Sequence, residues 1–592
     1  MKQEYAIPAN TARQPFFFNR ENWLKRSLLL VMLVTFLVVL VLPLMTLFVK
    51  AFQSDDGVFV GIDNFINYFQ TPALVQSLQN TFFIAAMTTA ISVSLAFAYA
   101  YCLVRTDIKG KTFFRYAAFL PLFAPTMMHG IALVYLFGNQ GIFTNGFFGL
   151  LPAMDINLYG PVGIIIAEVI YTFPQAFMIM LVTLGNSDYR LYEAAETLGV
   201  NKAKQFFTIT LSNAKYGLVS AIFLVFSLSF TDYGAPKVVG GQYNVLATDI
   251  YSQVVGQQNM SMGATVGILL MIPALLAFFS DQLVNRKQSS SLSTKAIPFQ
   301  VKQNRKRNAL AFSFVTIITI CVFLVFAAVI IAALAPGWPY NLSFNLANFQ
   351  LESYTGGGFT AFKNSLLVAA LSAVFGTIFT FIYAYAIEKI RKMTGLRKAG
   401  KFFSILPVAV PGLVIGISYV LFFSQPTIEL FGSRFTNPFN FLYGTIGIIV
   451  FANILHFYSV AYVTATSALK KLDKEFETVS ESMGVPMYKT FFKVTVPMCM
   501  PAILEMAMYF FVNSMVTISA VVFLYTAEFN LAAISIVNLD DAGNLGQAAA
   551  LSVLIIITNI AVRILYELVV YWIQQRRKYK QNQLTEGMVM NE

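Results

Sequence analysis

The stretch Glu193–Ser212, EAAETLGVNKAKQFFTITLS, is a polar segment between two long apolar runs, and the rest of the chain is arranged around it. It begins with strong helix formers, and the Asn-Ser-Asp triplet at 186–188 supplies N-cap candidates. Gly199 can take the positive φ that turns the chain out of a helix. A second short helical run then carries Phe206 and Phe207. The stretch therefore predicts two short helices joined at a glycine.

A second copy of the stretch lies at Thr478–Pro497, TVSESMGVPMYKTFFKVTVP. Gly484 follows Gly199 by 285 residues, and the Phe-Phe pair returns at the same distance. The second copy begins differently, with Thr-Val-Ser in place of Glu-Ala-Ala, although Glu481 matches Glu196. Self-similarity at one long distance indicates an internal duplication.

The duplication extends beyond the two polar loops. Asn80 and Asn364 stand at the start of matching apolar runs, 284 residues apart. The motif Leu-Pro-x-x-x-Pro at 120–125 returns at 406–411. The two halves of the chain are therefore predicted to share one fold.

The composition is that of a membrane protein. Of the 592 residues, 57% are hydrophobic and 11% are charged, and the mean hydropathy is +0.67. A soluble domain is about 25% charged, and many apolar runs here reach the ~20 residues that a helix needs to cross a bilayer. Because backbone groups in lipid must be satisfied internally, the sequence predicts an all-α polytopic membrane protein with about twelve transmembrane helices in two parallel six-span repeats. The predicted spans are Ser27–Val49, Thr81–Val104, Phe113–Phe137, Gly160–Leu184, Tyr216–Gly234, Met262–Val284, Leu310–Ala335, Ser365–Ile387, Phe402–Phe423, Gly444–Ala468, Ala502–Tyr525 and Gln547–Ile573.

Basic residues cluster in alternate loops, which explains the net charge of +12 without nucleic acid. The opposite loops hold chiefly Lys237 and Arg434. By the positive-inside rule, both termini and the central linker are expected to be cytoplasmic. The predicted divisions are a cytoplasmic tail at 1–26, a first repeat at 27–284, a basic linker at 285–309, a second repeat at 310–573 and a cytoplasmic tail at 574–592.

The order of residues in the first polar loop resembles a known family signature. The loop begins with Glu-Ala-Ala, has Gly199 after three more residues, and ends with Ile-x-Leu after nine more. This pattern resembles the cytoplasmic loop of binding-protein-dependent ABC importer permeases. Ser212 stands where that signature usually has proline, and Pro497 supplies the proline in the second copy. In that family the loop docks on an ATPase subunit. The resemblance implies a docking role for Glu193, Ala194, Ala195, Glu196, Gly199, Glu481 and Gly484.

The same resemblance implies the partners and the location of the protein. It implies two ABC ATPase subunits on the cytoplasmic face and a periplasmic or extracellular solute-binding protein on the other. The chain would lie in the lipid of a bacterial inner membrane, without a cofactor. It would not be an enzyme, since ATP would be hydrolysed in the separate subunits.

Two groups of such permeases are fused in one chain: ferric-iron permeases and 2-aminoethylphosphonate permeases. The segment Tyr243–Tyr251, YNVLATDIY, followed by Gly256–Gln258 and Met262-Gly263, resembles the aminoethylphosphonate group. We therefore expect 2-aminoethylphosphonate or a related phosphonate as solute, with ferric iron as the alternative. An ion-coupled secondary transporter also has twelve spans and two repeats, and it remains open as a function of a different class.

Polar residues inside the spans are candidates for the solute route, because polar groups in a membrane are costly. Glu168 and Asp232 break the repeat symmetry, since their partners in the second half are Ala452 and Thr517. Hydrogen bonding between helices is the structural alternative for such residues. The candidates are Glu168, Asp232, His129, His456, Asn453 and Asn513.

The sequence shows no pattern typical of a catalytic or metal site. Gly395, Gly400 and Lys401 imitate a phosphate-binding loop, but Phe402 follows in place of Ser or Thr and no strand precedes them. The three cysteines lie in or beside apolar runs, where they indicate neither disulfides nor a metal site.

Overall fold

The structure is a computed structural model of the chain. It describes residues 20–150, 152–288, 297, 299–301, 303–338, 341, 343–351, 358–390, 393–430, 433–473, 475–483 and 485–589. The described chain is almost entirely helical, as the sequence predicts.

The first half forms a series of long apolar helices joined by short ones. In chain order the α-helices are α1 (Arg20–Phe36), α2 (Leu42–Ala51), α3 (Asp63–Gln70), α4 (Pro72–Arg105), α5 (Lys111–Phe119), α6 (Thr126–Phe137), α7 (Gly146–Gly149), α8 (Pro161–Gly185), α9 (Arg190–Thr197), α10 (Lys202–Gln205), α11 (Leu211–Thr231), α12 (Gly234–Val239), α13 (Leu246–Tyr251) and α14 (Met260–Gln288). Short π-helices make α1 continuous with α2, and α10 continuous with α11.

The second half repeats this order and adds one short hairpin. Its helices are α15 (Arg305–Leu334), α16 (Gly358–Lys389), α17 (Thr394–Ile405), α18 (Gly412–Phe423), α19 (Ile446–Lys471), α20 (Glu475–Ser482), α21 (Met487–Thr490), α22 (Val496–Val516), α23 (Ala532–Asp541) and α24 (Leu545–Val589). The hairpin pairs β1 (Thr427–Leu430) with β2 (Ser433–Thr436) in antiparallel register.

The third and ninth predicted spans are each broken into two helices at a Leu-Pro-x-x-x-Pro motif. The chain bends by 102° between α5 and α6, and by 109° between α17 and α18. Ala124 and Val410, which precede the second proline of each motif, are extended, with ψ of 144° and 117°. A proline ring disfavours the helical conformation of the residue before it, so the helix stops at these positions.

Each bent pair nevertheless carries the chain from one end of the bundle to the other. The guanidinium of Arg105, the last residue of α4, donates to the carbonyl of Leu184 near the end of α8. In the second half, Lys470 and Glu388 join the ends of α19 and α16 at 3.7 Å. Because the helices before and after each bent pair end together, the pair between them must cross. Within the described residues, ten unbroken helices are long and apolar enough to cross a membrane, and the two bent pairs bring the number of crossings to twelve.

The two halves use the same contacts at equivalent positions. The side-chain amide of Asn80 donates to the carbonyl of Asn244 at 2.9 Å. Asn364 makes the equivalent bond to Asn530 at 3.1 Å. These bonds lie at the end of the bundle opposite α9, which we call the distal end. The end that carries α9 and α20 is called the loop end.

The first helix of each half packs against the other half. α2 lies against α18, and α15 lies against α6. Thr35 and Tyr383 are joined by a hydroxyl hydrogen bond of 3.2 Å, and Tyr99 and Thr319 by one of 3.0 Å. The two repeats are therefore interlocked. Most of their buried apolar side chains form one large core that both halves share, and a smaller second cluster lies between α4, α8, α11 and the start of α15.

Several helix ends differ from the predicted spans. The apolar run predicts a span that reaches Tyr525, whereas α22 ends at Val516 and the chain turns at Ile518–Leu524. Most of that turn is buried at the junction of the halves, so hydropathy does not mark the end of the helix. α4 begins at Pro72, well before the predicted Thr81, and α24 continues to Val589.

Candidate functional site

The first polar loop folds into α9 and α10, joined at Gly199. Asp188 lies two residues before α9, and its carboxylate accepts the backbone N–H of Arg190 at 3.1 Å and the guanidinium at 2.6 Å. These bonds from Arg190 hold the pKa of Asp188 at about 2. Gly199 has a φ of +69°, so the left-handed turn that the sequence predicts is present.

The outward surface of this loop combines acidic and apolar groups. Glu193 and Ala194 are exposed, whereas Ala195 is buried on the inner face of α9. Leu198 is 80% exposed, and Phe207 of the following π-helix is 64% exposed. Glu196 forms an ion pair with Lys202 across the turn, which links α9 to α10. Such an exposed apolar surface on a rigid helix is typical of a protein-binding site.

The second polar loop has the same order of elements. α20 includes Glu481, α21 follows, and a π-helix runs from Phe491 to Thr495. Phe492 is 65% exposed, close to the value for its counterpart in the first loop. Gly484 lies outside the described residues, so its predicted turn remains a prediction.

One phenylalanine of each Phe-Phe pair anchors its loop to the membrane helices. The ring of Phe206 packs at 5.8 Å from Tyr101 of α4. Phe491 packs at 4.8 Å from Tyr385 of α16, which is the equivalent tyrosine of the second half. Because the following residue points outward in each case, both loops present one anchored and one exposed aromatic ring.

Two of the predicted route residues lie together near the junction of the halves. Glu168 of α8 is 0% exposed, and its carboxyl group lies beside that of Asp232, just after α11. Asp232 accepts the backbone N–H of Ala235 at 2.9 Å and so caps α12. The carboxyl group of Glu168 also faces the hydroxyl of Ser229. Tyr171 neighbours both carboxyl groups and also Tyr509 of the second half.

The other four route candidates are not hydrogen-bonded to this pair within the described chain. His129 on α6 and Asn453 on α19 are fully buried, and their polar side-chain atoms have no hydrogen-bond partner there. The ring of His456 lies against Phe457. Asn513 donates to the carbonyl of its own helix at Tyr509, which is the structural alternative for such a residue.

The sequence does not predict a pocket at the distal end. This cavity of about 360 Å³ is lined in part by Tyr233, Lys237, Tyr243, Asp249 and Tyr251. The hydroxyl of Tyr233 and one carboxylate oxygen of Asp249 are buried and lack a hydrogen-bond partner in the described chain. Burial raises the pKa of Asp249 to about 6.

An ion pair beside this pocket joins the two halves. Lys237 of α12 lies 2.8 Å from Asp541 at the end of α23. In the sequence, Lys237 stands out because its loop is otherwise almost free of basic residues. Its partner could not be identified there, because the two residues meet only when the repeats are packed.

Comparison with known proteins places these features in a family. The chain matches the family described as "binding-protein-dependent transport system inner membrane component" twice, over residues 90–290 and 390–577. The ferric transport system permease protein FbpB of Actinobacillus pleuropneumoniae is 26% identical over 555 residues, covering 92% of this chain and 78% of that protein. The Fe(3+)-transport system permease protein FbpB 2 of Haemophilus influenzae is 24% identical, covering 81% of this chain and 86% of that protein.

A solved structure is also similar over slightly less than half of the chain. It is the crystal structure of a bacterial ABC transporter involved in the import of the acidic polysaccharide alginate. Its matched chain is 18% identical with a TM-score of 0.39, covering 45% of this chain and 96% of that one. The two family matches lie in the two halves of the chain and together cover more than half of it. The chain belongs to the family of binding-protein-dependent transport system inner membrane components, as a multi-pass permease with both repeats in one polypeptide.

Proposed function

We propose that the chain is the fused permease of an ATP-driven ABC importer and that its two polar loops each dock on an ATPase subunit. The pair of equivalent loops at the loop end, each with one anchored and one exposed phenylalanine, carries this proposal. The docking residues would be Glu193, Ala194, Ala195, Glu196 and Gly199 in the first loop, and Glu481 and Gly484 in the second. A solute-binding protein would deliver its ligand at the distal end.

The loop end would face the cytoplasm, where ATP is found. The basic clusters at both termini and in the linker 285–309 support this orientation. Single cysteines placed in the linker of intact cells should resist a membrane-impermeant maleimide until the cells are permeabilised. Labelling without permeabilisation would contradict the orientation.

The solute that the central acidic pair supports best is a cation, and we propose ferric iron. Glu168 and Asp232 place two carboxyl groups together near the junction of the halves. Arg105 is the one buried arginine or lysine in the part of the chain that the structure describes, and it lies at the loop end. An ionised carboxyl group in this pair would attract a cation and repel an anion. The ferric names of the two relatives point to the same solute.

A second candidate solute is 2-aminoethylphosphonate. Tyr243, Asp249 and Tyr251, which belong to the segment that resembles the aminoethylphosphonate group, line the distal pocket beside Lys237. An ammonium group and a carboxyl group on one wall could receive the two ends of a zwitterion. The resemblance to ferric permeases over most of the chain gives this candidate less support than ferric iron.

Uptake measurements separate these functions. The chain would be expressed with its ATPase and binding protein, and uptake of radiolabelled ferric citrate and of 2-aminoethylphosphonate would be compared. We expect ferric uptake that requires the ATPase subunits and survives an ionophore. Uptake that continues without the ATPase and stops with the ionophore would identify a secondary transporter.

A further inference from the structure

Two described residues of the linker, Ile297 and Phe299, lie at the base of the first polar loop. The backbone N–H of Tyr189 donates to the carbonyl of Ile297 at 2.9 Å, and the N–H of Ile297 points to Asp188 at 3.4 Å. Phe299 places its ring edge-on to Tyr189 at 5.3 Å and to Tyr192 of α9 at 5.0 Å. The linker therefore contacts both the start and the inner face of the first loop helix.

Phe299 also covers a buried arginine that joins three helices. The guanidinium carbon of Arg105 lies 3.8 Å from the centre of the Phe299 ring and 4.9 Å from that of Tyr192. Arg105 is 2% exposed and donates to the hydroxyl of Tyr192 at 3.1 Å and to the carbonyl of Leu184. Its Nε and Nη1 atoms have no hydrogen-bond partner in the described chain. The aromatic faces thus take the place of polar partners for this cation.

The second half builds the same joint from different side chains. Lys389 ends α16 as Arg105 ends α4, and Glu477 occupies in α20 the position of Tyr192 in α9. Lys389 and Glu477 form an ion pair of 2.8 Å. Both halves therefore connect the end of a membrane helix to the same position of the loop helix. The cation is held by aromatic rings in the first half and by a carboxylate in the second.

We propose that Arg105 and Phe299 are positioning residues that fix the first loop helix to the membrane helices, with the linker acting as a clamp. Tyr192 connects this joint onward, because its hydroxyl is 2.9 Å from that of Thr210, where α11 begins. A movement of α9 is thus transmitted to α4, α8 and α11 together. The functional part of this inference rests on the proposed docking of α9 to an ATPase, whereas the clamp itself does not.

The test measures the mobility of α9 directly. A spin label on Leu198→Cys reports the first loop, and one on Met483→Cys reports the second, in the full-length chain with its three native cysteines replaced by serine or alanine. Phe299→Ala should raise the mobility of the label at 198 severalfold and leave the label at 483 unchanged. Phe299→Tyr should restore the rigid signal, because a second aromatic ring can cover Arg105. Gln300→Ala, an exposed neighbour in the linker, is the matched control.

Arg105→Lys supplies an independent variant that keeps the charge and removes the flat guanidinium. It should also mobilise the label at 198, because an ammonium group cannot stack on both rings. An unchanged signal in both Phe299→Ala and Arg105→Lys would overturn the clamp.

Uptake and ATP hydrolysis, measured on the same variants with the ATPase bound, test the link to function. We expect the ratio of uptake to hydrolysis to fall at least threefold in Phe299→Ala and to recover in Phe299→Tyr. A mobile α9 with normal ATPase binding and normal coupling would support the clamp and overturn the docking role of the first loop. Failure of the clamp and failure of the proposed function are therefore distinguished.

Discussion

Glu168 is a buried carboxyl group at a position where the second repeat has Ala452. Its neighbour Asp232 has an ordinary structural task as the cap of α12. Glu168 caps no helix, and its carboxyl group faces that of Asp232 and the hydroxyl of Ser229. Burying two carboxyl groups side by side is costly. We therefore expect function rather than stability to explain Glu168.

Glu168→Gln should lower uptake at least tenfold while the chain still assembles with its ATPase. The change replaces a carboxyl group at the junction of the halves by an amide of the same size. Asp232→Asn should also lower uptake and should in addition lower thermal stability modestly, since a neutral cap is weaker. Uptake and copurification of the ATPase provide the measurements. Asp63→Asn, at an exposed acidic residue, is the control. Normal uptake in Glu168→Gln would show that Glu168 has a structural role instead.

The raised pKa of Asp249 predicts that the stability of the fold depends on pH. Burial raises its pKa from the usual 3.8 to about 6. The folded state therefore holds a proton that the unfolded state releases, and stability should fall as the pH rises from about 4 to about 6. The difference corresponds to about 3 kcal/mol at most. In Asp249→Asn this fall should be absent, so the melting temperatures at pH 5 and pH 8 should differ less than in the wild type. Equal differences in both proteins would contradict the assignment.

The two loop helices are the elements on which the proposed coupling depends. Their length, their polar character and the glycine turn of the first loop follow from local sequence, because helix propensity and left-handed glycine act over a few residues. The contacts that anchor these helices to the membrane helices cannot be predicted from local sequence. Phe206 and Phe491 pack on tyrosines more than 100 residues earlier, and Phe299 returns to α9 from beyond the sixth span.

Gly199→Val should uncouple ATP hydrolysis from uptake or release the ATPase without unfolding the spans. The φ of +69° at this position disfavours a β-branched residue by about 1–3 kcal/mol, whereas the space around it is open. The strain should tilt the segment that carries Phe207. Gly199→Ala should have a smaller effect in the same direction.

Gly185→Ala is the matched control, because this glycine also has open space around it but no positive φ. Copurification of the ATPase, uptake and hydrolysis are measured in parallel. If Gly199→Val retained full coupling, the first loop would not be the coupling element.

The bent pairs mark the limit of prediction from sequence at this scale. The Leu-Pro-x-x-x-Pro motifs indicate a disturbance of the helix, but a mild kink and a turn of more than 100° have the same local signature. The angle is set by what the second helix packs against. For the same reason, hydropathy wrongly predicts that the apolar turn after α22 belongs to a span.

At the scale of the whole molecule, the membrane-spanning helices follow from composition and the duplication follows from repeated motifs. The family follows from the resemblance of the first polar loop to a known signature. The contacts between the halves do not follow from them. Lys237 and Asp541 belong to opposite repeats, and the distal pocket beside them forms when the repeats meet.

The Lys237–Asp541 pair should hold the distal ends of the two halves together. Lys237→Glu should increase the separation between spin labels at Val255 and Ala527, which lie on opposite halves. The exchange Lys237→Asp with Asp541→Lys should restore it. A partly exposed ion pair contributes up to about 1 kcal/mol. The ratio of molecules with the long label distance to molecules with the short one should therefore change up to about fivefold. Lys50→Glu is the control, since Lys50 contacts carbonyls of its own half. An unchanged distance distribution in Lys237→Glu would show that the pair does not hold the halves.

The packing of each first helix against the opposite half has a consequence for how the protein is made. α2 is synthesised early, yet its neighbour α18 leaves the ribosome only after Phe423. During that interval the first helix must wait in the bilayer with the face meant for α18 against lipid. α15, by contrast, meets an α6 that is already in place. The two repeats therefore reach their final packing at different times. The second repeat inserts beside a first repeat that is already in the membrane, and α2 of the first repeat gains its contact with α18 only when the second repeat has been made.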